Sequence, residues 1–181
     1  MKKLLCSFLV LTLMISVFAF SASAASTANY IIDNDTVDKT CTVLRDGFGI
    51  YVTGSSHYNG DCRRQLSSDR LKFYEWRKKS EADAVYSYGY PIYVTAGVYL
   101  RNSLFTDTQA HYYLIQEDGG YLINIINQNT ARAGWTYFDA TINWNYATPN
   151  TFSVYGMSVS PSGIGSGYTG ADAISIVAEA G

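Results

Sequence analysis

Histidine, cysteine, proline and charge are all in short supply in this sequence. Its 181 residues include two histidines, three cysteines and three prolines, and only 15% are charged. Two imidazoles, His57 and His111, leave little for a nucleophile–base pair, and neither stands in a recognised catalytic motif. With no CxxC and no close histidine pair, Cys41, His57, Cys62 and His111 lack zinc-site spacing. The four glutamates, Glu75, Glu81, Glu117 and Glu179, fall in charged turns or at the tail, and nothing marks a glycosidase pair. Basic charge is also scarce: the net charge of −2 gives no phosphate-binding footprint, which argues against a nucleic-acid partner. A heptad pattern, an internal repeat and a low-complexity linker are missing, and Pro91, Pro149 and Pro161 are scattered, so the reading is one domain.

The single long apolar run lies at the start. Met1-Lys2-Lys3 is a positive leader, Leu4 to Phe20 is interrupted only by Ser7, Thr12 and Ser16, and Ala22-Ser23-Ala24 supplies small residues for cleavage. Residues 1–24 therefore read as a secretory signal and 25–181 as the domain of a secreted, extracellular or cell-surface protein, with no membrane contact after cleavage. An uncleaved anchor is the weaker reading, because the run is at the short limit for crossing a bilayer. Those first 24 residues hold two lysines and no acid, so the remaining 157 carry a net charge of −4. An exported chain meets oxidising surroundings, and Cys41 and Cys62 form a candidate disulfide. Closing their loop of about 20 residues would contribute roughly 3 kcal/mol. The alternative is two reduced, buried thiols.

Apolar residues mostly recur every second position. In Pro91 to Leu100, Ile92, Val94, Ala96, Val98 and Leu100 share one face and Tyr93, Thr95, Gly97 and Tyr99 the other, as in a half-buried strand. Thr136, Phe138, Ala140 and Ile142 alternate likewise with Trp135, Tyr137, Asp139 and Thr141. Tyr121 to Asn127 reads as a strand with apolar residues on both faces. Further strands are predicted in Tyr30–Ile32, Gly47–Thr53, Ala84–Tyr88, Thr151–Met157 and Ala171–Val177. Ser67 to Ala84 is ambiguous between a charged helix and a strand over Leu71–Arg77 followed by a charged turn. Short strands separated by Gly-containing loops predict an all-β antiparallel sandwich, with a jelly roll as first choice.

Particular segments also resemble a family. Ile31-Ile32-Asp33-Asn34-Asp35 and Tyr51-Val52-Thr53-Gly54-Ser55, followed by Tyr58-Asn59-Gly60-Asp61, match its opening; Tyr113-Leu114, Gly119-Gly120, Asn127-Gln128-Asn129, Gly134-Trp135 with Phe138, and Gly170-Ala171-Asp172-Ala173-Ile174 follow in order. The sequence resembles the golvesin-like C-terminal domain, also found as the carbohydrate-binding-like domain of xanthan lyase. The resemblance implies a galactose-binding-like β-sandwich and, by the company such modules keep, binding of a polysaccharide.

Sugar recognition uses flat aromatic faces against the C–H face of a pyranose, with amides and carboxylates bonding its hydroxyls. Trp76, Trp135, Trp144 and 16 tyrosines supply such faces. Tyr93, Tyr99 and Trp135 are the candidate ligand-binding aromatics, with Asn127 and Gln128 as polar partners. The competing reading makes them cross-strand pairs that stabilise a sheet. Asp33, Asn34, Asp35 and Asp38 concentrate oxygen atoms, and Asp172 near the other terminus could join them, so Asp33, Asp35 and Asp172 are candidate calcium ligands. An Asx-rich turn is the alternative. Gly163, Gly165, Gly167 and Gly170 precede a strand, which suits a loop better than a phosphate cradle. The functional expectation is a non-enzymatic binding module with no cofactor beyond that calcium, recognising polysaccharide. The rivals are a structural or protein-interaction module of the cell surface and a small secreted hydrolase using His57 or His111.

Overall fold

The computed structural model describes residues 27–35, 41–78, 85–87, 91–101, 103–116, 119–142, 152–154, 156–164 and 167–180. The expected signal segment, Trp144 and the charged turn after Lys78 lie outside the described residues. In chain order the strands are β1 (Thr27–Ile32), β2 (Cys41–Asp46), β3 (Ile50–Thr53), β4 (Asp61–Leu66) and β5 (Phe73–Lys78). There follow β6 (Val85–Ser87), β7 (Ile92–Leu100), β8 (Ala110–Gln116), β9 (Gly119–Ile126) and β10 (Gly134–Ile142). The last four are β11 (Phe152–Val154), β12 (Gly156–Ser160), β13 (Tyr168–Ala171) and β14 (Ile174–Ala180). One 3-10 turn, Tyr58–Gly60, joins β3 to β4.

These strands form an antiparallel β-sandwich. One layer has the order β1-β14-β7-β10 and the other β2-β5-β12-β8-β9, with a smaller sheet β13-β4-β3 and a ribbon β11-β6. The two-residue rhythm sets which way each strand faces. Ile92, Val94, Ala96, Val98 and Leu100 of β7, with Ile174, Ile176 and Ala178 of β14, enter the core from one layer. Tyr74 and Trp76 of β5, Tyr112 and Leu114 of β8, and Met157 and Val159 of β12 meet them from the other. The buried aromatics also find polar partners: the Tyr74 hydroxyl donates to Asn34 O, and Trp76 Nε1 donates to Asp172 O at 3.1 Å. A single strand therefore ties the segment after β1 to the segment before β14.

One open alternative is settled and two expectations change. The Ser67–Ala84 stretch gives strand β5 and no helix over its described part, because Tyr74 and Trp76 alternate into the core while Glu75 turns away to meet Arg77 Nε at 2.7 Å. Thr151–Met157 is two strands in different sheets, β11 and the start of β12. They divide at Gly156, where a Cβ would stand 1.9 Å from Trp76 O, so β12 begins at a backbone contact only glycine allows. The expected Cys41–Cys62 bridge does not form: Cys62 carries a free, buried thiol. Cys62 lies on β4 opposite Val52 in the small sheet, whereas Cys41 opens β2 opposite Lys78 in the five-stranded layer.

Candidate functional site

The outer face of β10-β7-β14 carries a continuous row of aromatic and polar groups among the described residues. Register places Trp135 opposite Tyr99, Tyr137 opposite Gly97, Asp139 opposite Thr95 and Thr141 opposite Tyr93. On the other side of β7, Ser175, Val177 and Glu179 stand opposite Gly97, Thr95 and Tyr93. Six residue steps from Trp135 to Thr141, at about 3.4 Å each, make a strip about 20 Å long.

One end of the strip is aromatic. Tyr99 and Trp135 meet edge-to-face at 5.5 Å, and Tyr58 from the 3-10 turn closes the group at 5.7 Å from Tyr99 and 5.5 Å from Trp135. Tyr137 stacks beside Trp135 at 5.9 Å with the rings 21° apart. It lies across Gly97, where a Cβ would come within 2.6 Å of the Tyr137 ring, and remains 59% exposed. The other end is a groove of about 330 Å³ lined by Tyr93, Thr95, Asp139, Thr141, Val177 and Glu179, floored by Val94 and Ala140. Within it Thr95 Oγ1 donates to Asp139 Oδ1 at 2.7 Å, and Tyr93 is 53% exposed. Flat rings thus pass into a trough of hydroxyls and carboxylates, the combination that covers a sugar ring and bonds its hydroxyls.

Of the residues singled out from the sequence, Tyr93, Tyr99 and Trp135 lie on this face. Asn127 and Gln128 do not join them. Exposed Asn127 accepts from Thr130 N at 3.2 Å and shapes the turn after β9. Gln128 is completely buried: Nε2 donates to Tyr112 Oη at 2.6 Å and Gly170 O at 3.0 Å, and Oε1 accepts from Gly170 N at 2.9 Å. The Asn127-Gln128 and Gly170-Ala171-Asp172 segments, distant in sequence, are therefore two halves of one internal clamp. Tyr58, Tyr137, Asp139 and Glu179 were not foreseen as site residues. Tyr137 and Asp139 follow Trp135 at intervals of two, a signal the sequence contains; Glu179 depends on β14 lying beside β7, which it does not.

The three candidate calcium ligands are turned to protein donors. Asp33 accepts from Asn34 N and from Asn59 Nδ2, each at 2.8 Å, and Asp35 meets Arg63 at 3.3 Å. Buried Asp172 accepts from Tyr58 N at 3.3 Å. Among the described residues no three His, Cys, Asp or Glu side chains are arranged to hold a metal.

Asp172 also belongs to an unforeseen buried alignment. His57 Nε2 is 3.9 Å from Cys62 Sγ, and His57 Nδ1 is 3.6 Å from Asp172 Oδ2. The order thiol, imidazole, carboxylate has the connectivity of a nucleophile relay, but its electrostatics run the other way. Burial, with the charges of Asp172 and Asp61, pushes the Cys62 thiol up to about 12. Burial and the Arg101 charge push His57 down, against the pull of Asp61. Burial, reinforced by Asp33 and Asp61, raises Asp172 to about 8 against the Tyr58 backbone bond. A neutral thiol, imidazole and acid in a sealed position make a poor nucleophile. The other histidine, His111, is half-buried and meets Tyr113 edge-on at 6.4 Å.

No protein-family profile and no curated protein sequence matches the chain. Among solved structures it is similar to Paenibacillus xanthan lyase, at 17% identity and a TM-score of 0.49 over 83% of this chain and 13% of that one. It is also similar to exo-β-1,3-galactanase from Phanerochaete chrysosporium, at 11% identity and 0.41, over 83% of this chain and 29% of that one. A third similarity is to BiXyn10A CBM1, at 10% identity and 0.40, over 86% of this chain and 97% of that one. The chain thus spans less than a third of the first two proteins.

Proposed function

We propose that this protein is a non-enzymatic, secreted or surface module that binds polysaccharide on the outer face of β10-β7-β14. One observation carries the reading: Tyr99, Trp135 and exposed Tyr137 form an aromatic shelf that runs directly into the groove of Tyr93, Thr95, Asp139, Thr141 and Glu179. The shelf offers apolar area at low entropic cost, and the groove offers both hydroxyl and carboxylate partners. The leader at residues 1–24 and the motif order that resembles the golvesin-like domains agree with an extracellular glycan as ligand.

The test is retention on a panel of insoluble and soluble polysaccharides, with Tyr137→Ala and Trp135→Ala alongside. Loss of a stacking ring is expected to weaken binding by about tenfold or more, which is about 1.4 kcal/mol or above. Retention of no polysaccharide by the folded protein would overturn the reading. A second reading, a structural or protein-interaction module, is favoured by β9. This strand ends the five-stranded layer, lacks charge, and exposes Tyr121, Leu122 and Ile125. Absence of glycan binding together with a protein contact that maps to β9 would favour it.

A further inference from the structure

Resting on that reading, we infer that the groove selects a glycan bearing free amino groups, and discriminates against uronate or phosphorylated chains. The lining of the groove contains two ionisable acids, Asp139 and Glu179, and no lysine, arginine or histidine. Asp139 reaches it from β10 and Glu179 from β14, so the two carboxylates enter from strands on opposite sides of β7. Thr95 Oγ1 bonds Asp139 Oδ1, and no cation lies within ion-pair distance of either acid among the described residues. Among the described residues, the Lys and Arg side chains in ion pairs lie elsewhere: Arg63 with Asp35, Lys72 with Asp46 and Arg77 with Glu75.

An uncompensated pair of carboxylates sets the sign of the trough. A uronate lying across Tyr93 and Val177 would meet like charge from both walls, which costs affinity by repulsion. A neutral hexose would find acceptors for its hydroxyls but no charge partner. An ammonium group at a sugar's amino position would gain charge-assisted hydrogen bonds while the ring rests on the aromatic shelf. Because the groove is open to solvent, the gain per carboxylate is modest and salt-sensitive. Specificity thus comes from the trough and general glycan affinity from the shelf.

The experiment is calorimetric titration of the mature protein with four hexasaccharides of one size: glucosamine, N-acetylglucosamine, cellohexaose and galacturonate. Measurements are made near pH 5.5, where the ligand's amine is protonated. Glucosamine hexamer is expected to bind about tenfold tighter than the two neutral oligomers, and galacturonate most weakly. Glu179→Gln and Asp139→Asn should each reduce that preference severalfold, weakening glucosamine binding more than cellohexaose binding, and added salt should act in the same direction. Neutral oligomers that bind as tightly as glucosamine, through a Tyr137-dependent contact, would overturn the charge selection and leave the polysaccharide reading standing. Binding of none of the four, with the protein folded by circular dichroism, would overturn the charge selection together with the shelf on which it rests.

Discussion

Gln128 makes three side-chain hydrogen bonds, all inside the protein. Its replacement by alanine would strand the Gly170 amide, the Gly170 carbonyl and the Tyr112 hydroxyl where water does not reach. Each loss of this kind costs roughly 1–3 kcal/mol, partly relieved by relaxation. Gln128→Ala is therefore expected to destabilise the fold by about 3 kcal/mol in urea denaturation, and Asn127→Ala, on the exposed turn beside it, by about 1 kcal/mol or less. The contrast explains why residue type alone misassigned the pair. Both are amides in one short polar segment, and either could bond a sugar hydroxyl. What separates them is direction: Asn127 turns to Thr130, while Gln128 folds under the turn toward β13. Gly170 is legible in the same limited way, since only the structure shows Phe105 lying 1.9 Å from where its Cβ would be.

At the level of elements, alternation in the sequence is enough to place Tyr93, Tyr99 and Trp135 outside and Ile92, Val94 and Phe138 inside. It could not reveal β4, Asp-Cys-Arg-Arg-Gln-Leu, in which Cys62 alone is fully buried and the arginines mask the period. Nor could it show that β14 lies between β1 and β7, the pairing that brings Glu179 beside Tyr93 and completes the groove. Gly97 shows how strand and site are joined. Its missing side chain lets the Tyr137 ring lie across β7, covering backbone and remaining exposed above. A methyl group at position 97 would push that ring away, and also press on Ser175 Cβ at 3.3 Å. Gly97→Ala should therefore cost only about 1–2 kcal/mol in stability yet lower polysaccharide retention as far as Tyr137→Ala does. Parallel denaturation and binding assays of the two variants check both halves of that statement.

Across the whole molecule, the end of the chain closes on its beginning around Asp172. This residue precedes β14, feels the charges of Asp33 after β1 and Asp61 on β4, and accepts from the Tyr58 backbone beneath the aromatic shelf. Because its native value of about 8 lies above the ordinary 3.8, the folded state holds a proton the unfolded chain has released. Stability from this group is complete below about pH 4 and is lost as pH rises toward 8. His57, shifted down from 6.5, acts oppositely: its contribution is present above 6.5 and is lost on acidification. Asp33 and Glu75, both raised chiefly by burial, act in the same direction as Asp172, while the Cys62 thiol, near 12 when folded, matters only as unfolded thiols ionise in base. Between pH 6.5 and 8 the large Asp172 shift is expected to dominate. Thermal unfolding followed by circular dichroism should show the melting temperature of the native protein falling across that interval. Asp172→Asn, which keeps the shape of the protonated acid without its charge, should melt at a nearly constant temperature there and overtake the native protein at the alkaline end. A native melting temperature that stays level from pH 6.5 to 8 would mean that Asp172 is already ionised in the fold, paired with a charged His57.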